Sequence, residues 1–243
     1  MHAVVLAGGK GTRLRPYTAA LPKPLVPIGG RHAMVEVVLH QLAAAGFRTV
    51  SLATGHLGHI VRACVGDGSR WGLAVSYEAE EVPLGTMGPV VAMLDRLPEH
   101  FLVLNCDILT DLDFGAVLRH HRTEGAALTV AARRHRVELD FGVLATDGGR
   151  MVGFTEKPSL SYQASMGVYG MSRTTLDDYP PGSPLGFDRL SLDLLAAGTL
   201  PAVFEFDGYW LDIGRPDDYD RANAEFELMR HRLIPPPPPG SGG

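Results

Sequence analysis

Leu6-Ala7-Gly8-Gly9-Lys10-Gly11-Thr12-Arg13-Leu14-Arg15-Pro16, running on to Leu21-Pro22-Lys23-Pro24-Leu25, is the stretch on which the reading of this chain turns. It follows a short apolar run over residues 3–7, which reads as a buried parallel strand feeding a loop. Three glycines directly after a strand permit positive φ and let backbone N–H groups come close to a phosphate. Arg13, Arg15 and Lys23 concentrate positive charge there, and the prolines around Lys23 stiffen the loop that presents it. Such a loop suits a triphosphate, with N–H donors for its oxygens and cations for a departing pyrophosphate. Two familiar phosphate loops are excluded. A Walker A loop requires Gly-Lys-Ser/Thr, whereas Lys10 is followed by Gly11; the dinucleotide fingerprint needs glycine where Leu14 stands and an acidic residue closing a second strand.

Working outward, apolar residues Met34, Val37, Val38, Leu42 and Ala45 fall at helical spacing over residues 33–45, closed by Gly46. Strands are predicted at 49–53, 73–77, 101–104 and 127–132, with helices at 57–65, 86–94 and 114–124. This alternation implies a mostly parallel α/β sheet flanked by helices. Beyond Asp140 the pattern changes to short strands at 141–144, 151–154, 166–171, 203–206 and 209–210. We expect these to form a small antiparallel extension that covers one edge and builds the pocket of a second substrate. Residues 216–232 read as a closing helix with Pro216 in its first turn, and 235–243 as a flexible Pro/Gly-rich tail.

At 243 residues and 45% hydrophobic, the chain can bury a core without disulfides. A net charge of −5 argues against nucleic acid or a membrane surface as partner, so a polyphosphate must be met by local cations and a metal ion. Cys64 and Cys106 lie far apart, lack metal-ligand spacing, and read as reduced buried thiols. The first residues show no basic leader or cleavage site, and no run approaches membrane-spanning length, so a cytoplasmic protein is expected. His56, His59, His120 and His121 read as solvated residues at helix ends.

Residues 8–25 resemble the signature of the sugar-1-phosphate nucleotidyltransferases. The likeness continues at Leu84-Gly85-Thr86-Met87-Gly88, Leu104-Asn105-Cys106-Asp107, Phe154-Thr155-Glu156-Lys157-Pro158 and Trp210-Leu211-Asp212-Ile213-Gly214, in the family's order. The resemblance implies a Rossmann-like, GT-A-like fold in one domain over residues 1–234. Its nucleotide-binding part covers about 1–135, its sugar-phosphate part about 136–215 and its closing helix 216–232. It assigns Leu6, Gly8, Gly9, Gly11, Thr12 and Arg13 to the nucleotide, and Gly85, Thr86 and Gly88 to the flank of the base. Arg13 would stabilise the leaving pyrophosphate, Lys23 would lie near the α-phosphate, and Asp107 and Asp212 would hold Mg²⁺. Lys157 would grip the sugar phosphate and Glu156 its hydroxyls, the pair facing opposite sides of a strand; Gly142 and Gly167 would lay backbone against the sugar. The implied reaction is a single in-line displacement that needs positioning and charge stabilisation but no protein nucleophile.

Three positions depart from the common family pattern: Cys106 for glycine, Met87 for a smaller residue, and Ser165-Met166 for a frequent Asn-Ala. The last points to a ligand with altered hydroxyls, such as a heptose or cyclitol 1-phosphate. The segment 83–89 and the Trp210 block look most like the mannose-1-phosphate guanylyltransferase branch, which favours GTP over a thymidylyl or other donor. A non-catalytic regulatory subunit of the same fold is the alternative, but it should have lost Arg13, Lys23 or a metal aspartate, and all are present. No hexapeptide repeats occur, so nucleotidyl transfer alone is expected. A homo-oligomer is compatible with the resemblance, although no interface is legible.

Overall fold

The alternation of apolar run and amphipathic segment in the first half folds as predicted in a computed structural model that describes residues 1–235. In chain order the elements are β1 (His2–Ala7), β2 (Pro27–Ile28), β3 (His32–Ala33), α1 (Met34–Ala44), β4 (Thr49–Thr54), α2 (Gly58–Val65) and β5 (Ala74–Ala79). Then come α3 (Gly88–Ala92), β6 (His100–Asn105), β7 (Ile108–Thr110), α4 (Phe114–Glu124), β8 (Leu128–Glu138), β9 (Val143–Asp147) and β10 (Arg150–Thr155). The chain continues through β11 (Ser159–Ser172), α5 (Phe187–Ala196), β12 (Ala202–Glu205), β13 (Trp210–Asp212) and α6 (Pro216–Leu233). The tail expectation falls mainly on residues 236–243, outside the described residues.

Seven strands form the central sheet in the order β12-β8-β11-β6-β1-β4-β5. Strands β6, β1, β4 and β5 run parallel to one another, as β12 does to β8. Strand β11 runs antiparallel to both β6 and β8. The expected antiparallel extension therefore does not simply cover an edge: its longest strand lies inside the sheet. The reason is in β11 itself, whose second half from Met166 onward is apolar and buried on both faces, while its first half is mostly exposed and pairs only with the outer half of β8. The register slips between Ser165 and Tyr169, at a bulge where Gly167 adopts φ 74°.

Strand alternation distributes the core to two layers. Ala3, Val5 and Ala7 of β1 join residues of α1, α2 and α4 on one face, and Val4 joins α3 and α5 on the other. A third cluster decides the position of the site. Phe226 and Leu233 of α6 pack with Leu14, Ile28, Leu211 and Ile213, so the closing helix clamps the glycine loop against β13. Gly29 must be glycine here, because at φ 59° its backbone passes so close that a Cβ would stand 2.2 Å from the Phe226 ring.

Two side-chain expectations are corrected. Cys64 is exposed rather than buried, since it lies on the outer face of the short α2, whereas Cys106 is buried as expected. His56 and His59 are exposed, but His121 is fully buried and His120 half-buried, because the last turn of α4 packs against β11 and not against solvent. A Cβ on Gly170 would stand 2.6 Å from His121 Cβ, so the strand makes room for the ring. Thr129 Oγ1 and Ser172 Oγ lie 2.9 and 3.2 Å from its two ring nitrogens. Burial, with His100 as the second cause, pushes the imidazole down to about 4.

Candidate active site

Strands β1 and β6 are parallel neighbours, so their C-terminal ends open at one edge of the sheet, where α/β folds place ligands. The Cys106 N–H extends the pairing by donating to Leu6 O at 3.1 Å, which carries the chain directly into Asp107. Asp212 reaches the same place by another route. It ends β13, whose antiparallel pairing with β7 sets Asp212 opposite Ile108, and Ile213 N–H donates to Asp107 O at 2.9 Å. Two aspartates more than a hundred residues apart in sequence are thus tied together through backbone.

The glycine loop closes over this edge. Gly11, at φ 61°, folds the chain back so tightly that a Cβ would meet Thr18 Cγ2 at 2.9 Å and Lys23 Cβ at 3.1 Å. Thr18 Oγ1 donates to Gly11 O at 2.7 Å, and Leu14 N–H to the same carbonyl at 2.9 Å. Lys23 opens a short 3-10 turn between Pro22 and Pro24, and its ammonium donates to Asp107 Oδ2 with 11% of the side chain exposed. Arg13 lies beside Asp212: a Cβ on Gly214 would stand 3.8 Å from Arg13 Nη2 and 3.8 Å from Asp212 Oδ2. Burial first, then the Asp107 charge, pushes the Asp212 carboxyl up, with Lys23 and Arg13 opposing. Asp218 holds the turn after Asp212, its Oδ2 accepting the N–H groups of Gly214 and Arg215 at 3.2 and 2.9 Å.

A cavity of about 370 Å³ sits at this edge. Leu6, Gly8, Gly9, Lys23, Gly85, Thr86 and Asp107, all predicted, line it. Gly88 does not; it starts α3 and packs under Leu84, where a Cβ would stand 2.3 Å from the Leu84 Cβ. Gly11 and Thr12 shape the turn. Met87 is wholly buried in the second core cluster, so its extra bulk is taken up away from the cavity. Gly167 faces the lining residue Asn105, whose Nδ2 would lie 2.6 Å from a Cβ there.

The residues that the resemblance assigns to the sugar are placed differently. Gly142 and Glu156 meet on the β9–β10 hairpin, where a Cβ on Gly142 would stand 2.5 Å from the Phe154 ring and 3.3 Å from Glu156 Oε2. Glu156 and Lys157 are not in a strand as expected, because β10 ends at Thr155 and Lys157 turns the chain at φ 41°. Both are exposed, and among the described residues neither forms a hydrogen bond or ion pair with the cavity wall.

Sequence reasoning missed Glu80. It follows the C-terminal end of β5, lines the cavity, and accepts Leu84 N–H on Oε1 at 3.1 Å. Burial pushes its carboxyl up, opposed by that hydrogen bond. Its signal was available: an acidic residue just past a parallel strand and before the Pro83 loop.

Cations beside two mutually repelling carboxylates can bind phosphates and a hard divalent ion, which is content with one or two carboxylates, waters and substrate oxygens. No cluster of three or more metal-ligating side chains occurs among the described residues. Cys106 is no candidate nucleophile, since complete burial pushes its thiol far up. The described residues include no helix long and apolar enough to cross a membrane.

Comparison with known proteins gives a consistent result. Residues 2–228 match the nucleotidyl transferase family. The mannose-1-phosphate guanylyltransferase of Mycobacterium tuberculosis is 37% identical over 231 residues, covering 93% of this chain and 64% of that protein. The mannose-1-phosphate guanylyltransferase catalytic subunit beta of Dictyostelium discoideum is 32% identical over 229 residues, covering 90% of this chain and 62% of the subunit. The chain thus spans under two thirds of the length of these relatives. The crystal structure of HddC from Yersinia pseudotuberculosis matches with a TM-score of 0.72 at 25% identity, covering 93% of this chain and 99% of that one. Its complex with GMP-PN matches with a TM-score of 0.70 at 26% identity and the same coverage.

Proposed function

The chain belongs to the nucleotidyl transferase family, and on that premise we propose that it transfers a nucleotidyl group from GTP to a sugar or cyclitol 1-phosphate. The observation that carries the reading is the convergence of the glycine loop, Lys23 and Asp107 on one cavity. An oxygen of the sugar 1-phosphate attacks the α-phosphorus, the α–β phosphoanhydride bond breaks, and pyrophosphate leaves with the bond electrons. Arg13 meets the charge that develops on the leaving group, and Lys23 meets that on the α-phosphate. Asp107 and Asp212 are the residues that would hold Mg²⁺, which would neutralise phosphate charge.

GTP is supported by Glu80. Glu80 lines the cavity, and its carboxylate, although Oε1 also accepts the Leu84 N–H, has the acceptor capacity for the adjacent N1–H and N2–H donors of guanine, whereas adenine presents an acceptor at N1. The GMP-PN complex of HddC and the names of the relatives point the same way. For the acceptor, those names favour mannose 1-phosphate. Ser165, whose hydroxyl lies 3.3 Å from Tyr169 Oη beside the Gly167 bulge, keeps heptose and cyclitol phosphates in play.

Pyrophosphate release with Mg²⁺, each triphosphate being crossed with mannose, glucose, heptose and cyclitol 1-phosphates, tests the reading. Turnover is expected with GTP and one acceptor. Turnover confined to another triphosphate removes the Glu80 argument, and binding of GTP with no turnover on any acceptor supports a regulatory subunit instead.

A further inference from the structure

Lys23 is held where it stands by more than its partner. Leu25 N–H donates to Pro22 O at 2.9 Å and Val26 N–H to Lys23 O at 3.1 Å, fixing the turn, while Gly11 passes so close that a Cβ on it would stand 3.1 Å from Lys23 Cβ. The ammonium is thereby aimed at Asp107 Oδ2, and the pair is largely buried, with 11% and 27% of the two side chains exposed. It occupies one oxygen, Oδ2, of the carboxylate that the proposed function assigns to a divalent ion. Around it Arg13 and Lys23 already stand as cations beside Asp107 and Asp212, with Asp218 behind them.

A divalent ion entering alone would add two positive charges next to a largely buried ammonium that, among the described residues, pairs with no other anion. An ion entering with a triphosphate brings its own negative charge, and the α-phosphate gives the ammonium another partner. A lysine head on a flexible four-carbon stem can make that change by side-chain rotation, with the backbone turn unmoved. We propose that Lys23 keeps the place of the divalent ion at Asp107 and yields it only to an incoming nucleotide, so that metal binds with the triphosphate and not before it. This rests on the reading of Asp107 and Asp212 as metal ligands. By linkage, the nucleotide then tightens metal binding by the same factor as the metal tightens nucleotide binding.

The test is a titration of Mn²⁺, read by the spin-resonance signal of the free ion, with and without a non-hydrolysable GTP analogue. Wild type, Lys23→Met and Asp107→Asn are compared, with thermal melting to check the fold. Wild type should bind Mn²⁺ at least about tenfold more tightly with the analogue than without it. Lys23→Met alone should raise the affinity of the nucleotide-free protein at least about tenfold, since the competing charge is gone. Equal or weaker binding in a folded Lys23→Met overturns the proposal while leaving the metal site intact. Should Lys23→Met fail to fold, the wild-type pair of titrations decides, and tight binding without nucleotide overturns it. Mn²⁺ binding that is the same in Asp107→Asn as in wild type, with nucleotide present, overturns the underlying assignment of the metal site as well.

Discussion

The glycine loop and the β9–β10 hairpin both carry strong sequence motifs, yet the fold treats them in opposite ways. The loop is built into a core: Leu14 and Phe226 are fully buried and Ile213 nearly so, and α6 closes over them. The hairpin is a two-stranded ribbon outside the main sheet, with Phe141 81% and Phe154 57% exposed. The site proposed for phosphate chemistry is thus held by packing, as preorganised charge stabilisation demands, whereas the motif proposed for the sugar hangs on an element that can vary at little cost to stability.

The contrast can be broken first at the clamp. Phe226→Ala should cost about 3–5 kcal/mol, the scale for emptying a buried aromatic site, and show as a lowered denaturation midpoint. A cost under about 1 kcal/mol would mean that α6 does not hold the loop. Next is the loop itself. Arg13→Ala should lower kcat by roughly 10²–10³ without a matching loss of stability, and a loss under about tenfold would remove Arg13 from the chemistry.

A third prediction concerns the packed core of the main sheet, where α4 meets β11. His121 is held at about 4 in the fold against 6.5 in the unfolded chain, so the unfolded state takes up the proton first. Stability is therefore full above pH 6.5 and falls as pH drops toward 4, by on the order of 1–3 kcal/mol. Denaturation midpoints across that window should show the loss, and His121→Gln should flatten it. The smallest effect belongs to the hairpin. Lys157→Ala should raise KM for the sugar phosphate about tenfold with kcat nearly unchanged, the mark of lost ground-state binding. A fall in kcat with constant KM would place Lys157 with the reacting phosphates instead.

The parallel half was legible because its strands are uninterrupted apolar runs between amphipathic helices, as β1, β4 and β6 show. In the second half the short strands and the closing helix were legible, but the lengths and pairing of the strands were not. Strand β8 runs on through Arg133-Arg134-His135-Arg136, which looks like a solvated loop until β11 is seen to pair with it. The position of β11 between β6 and β8 follows from tertiary pairing, which the order of elements does not reveal. Helix α5 went unassigned although Phe187, Leu190 and Leu194 have helical spacing and pack on the second core face. Around the cavity, the motifs found the lining residues Asp107, Lys23, Gly8, Gly9 and Gly85, but Glu80 emerged only when β5 brought its end to the cavity.

The most direct test is a rapid-mixing measurement of pyrophosphate release by wild type and Asp107→Asn, with GTP and the acceptor that turns over. If the carboxylate at the end of β6 carries the phosphate chemistry, release should slow at least about 10²-fold while the protein stays folded. Release at the wild-type rate would contradict the account, because the cavity, Lys23 and the metal assignment all meet at that residue.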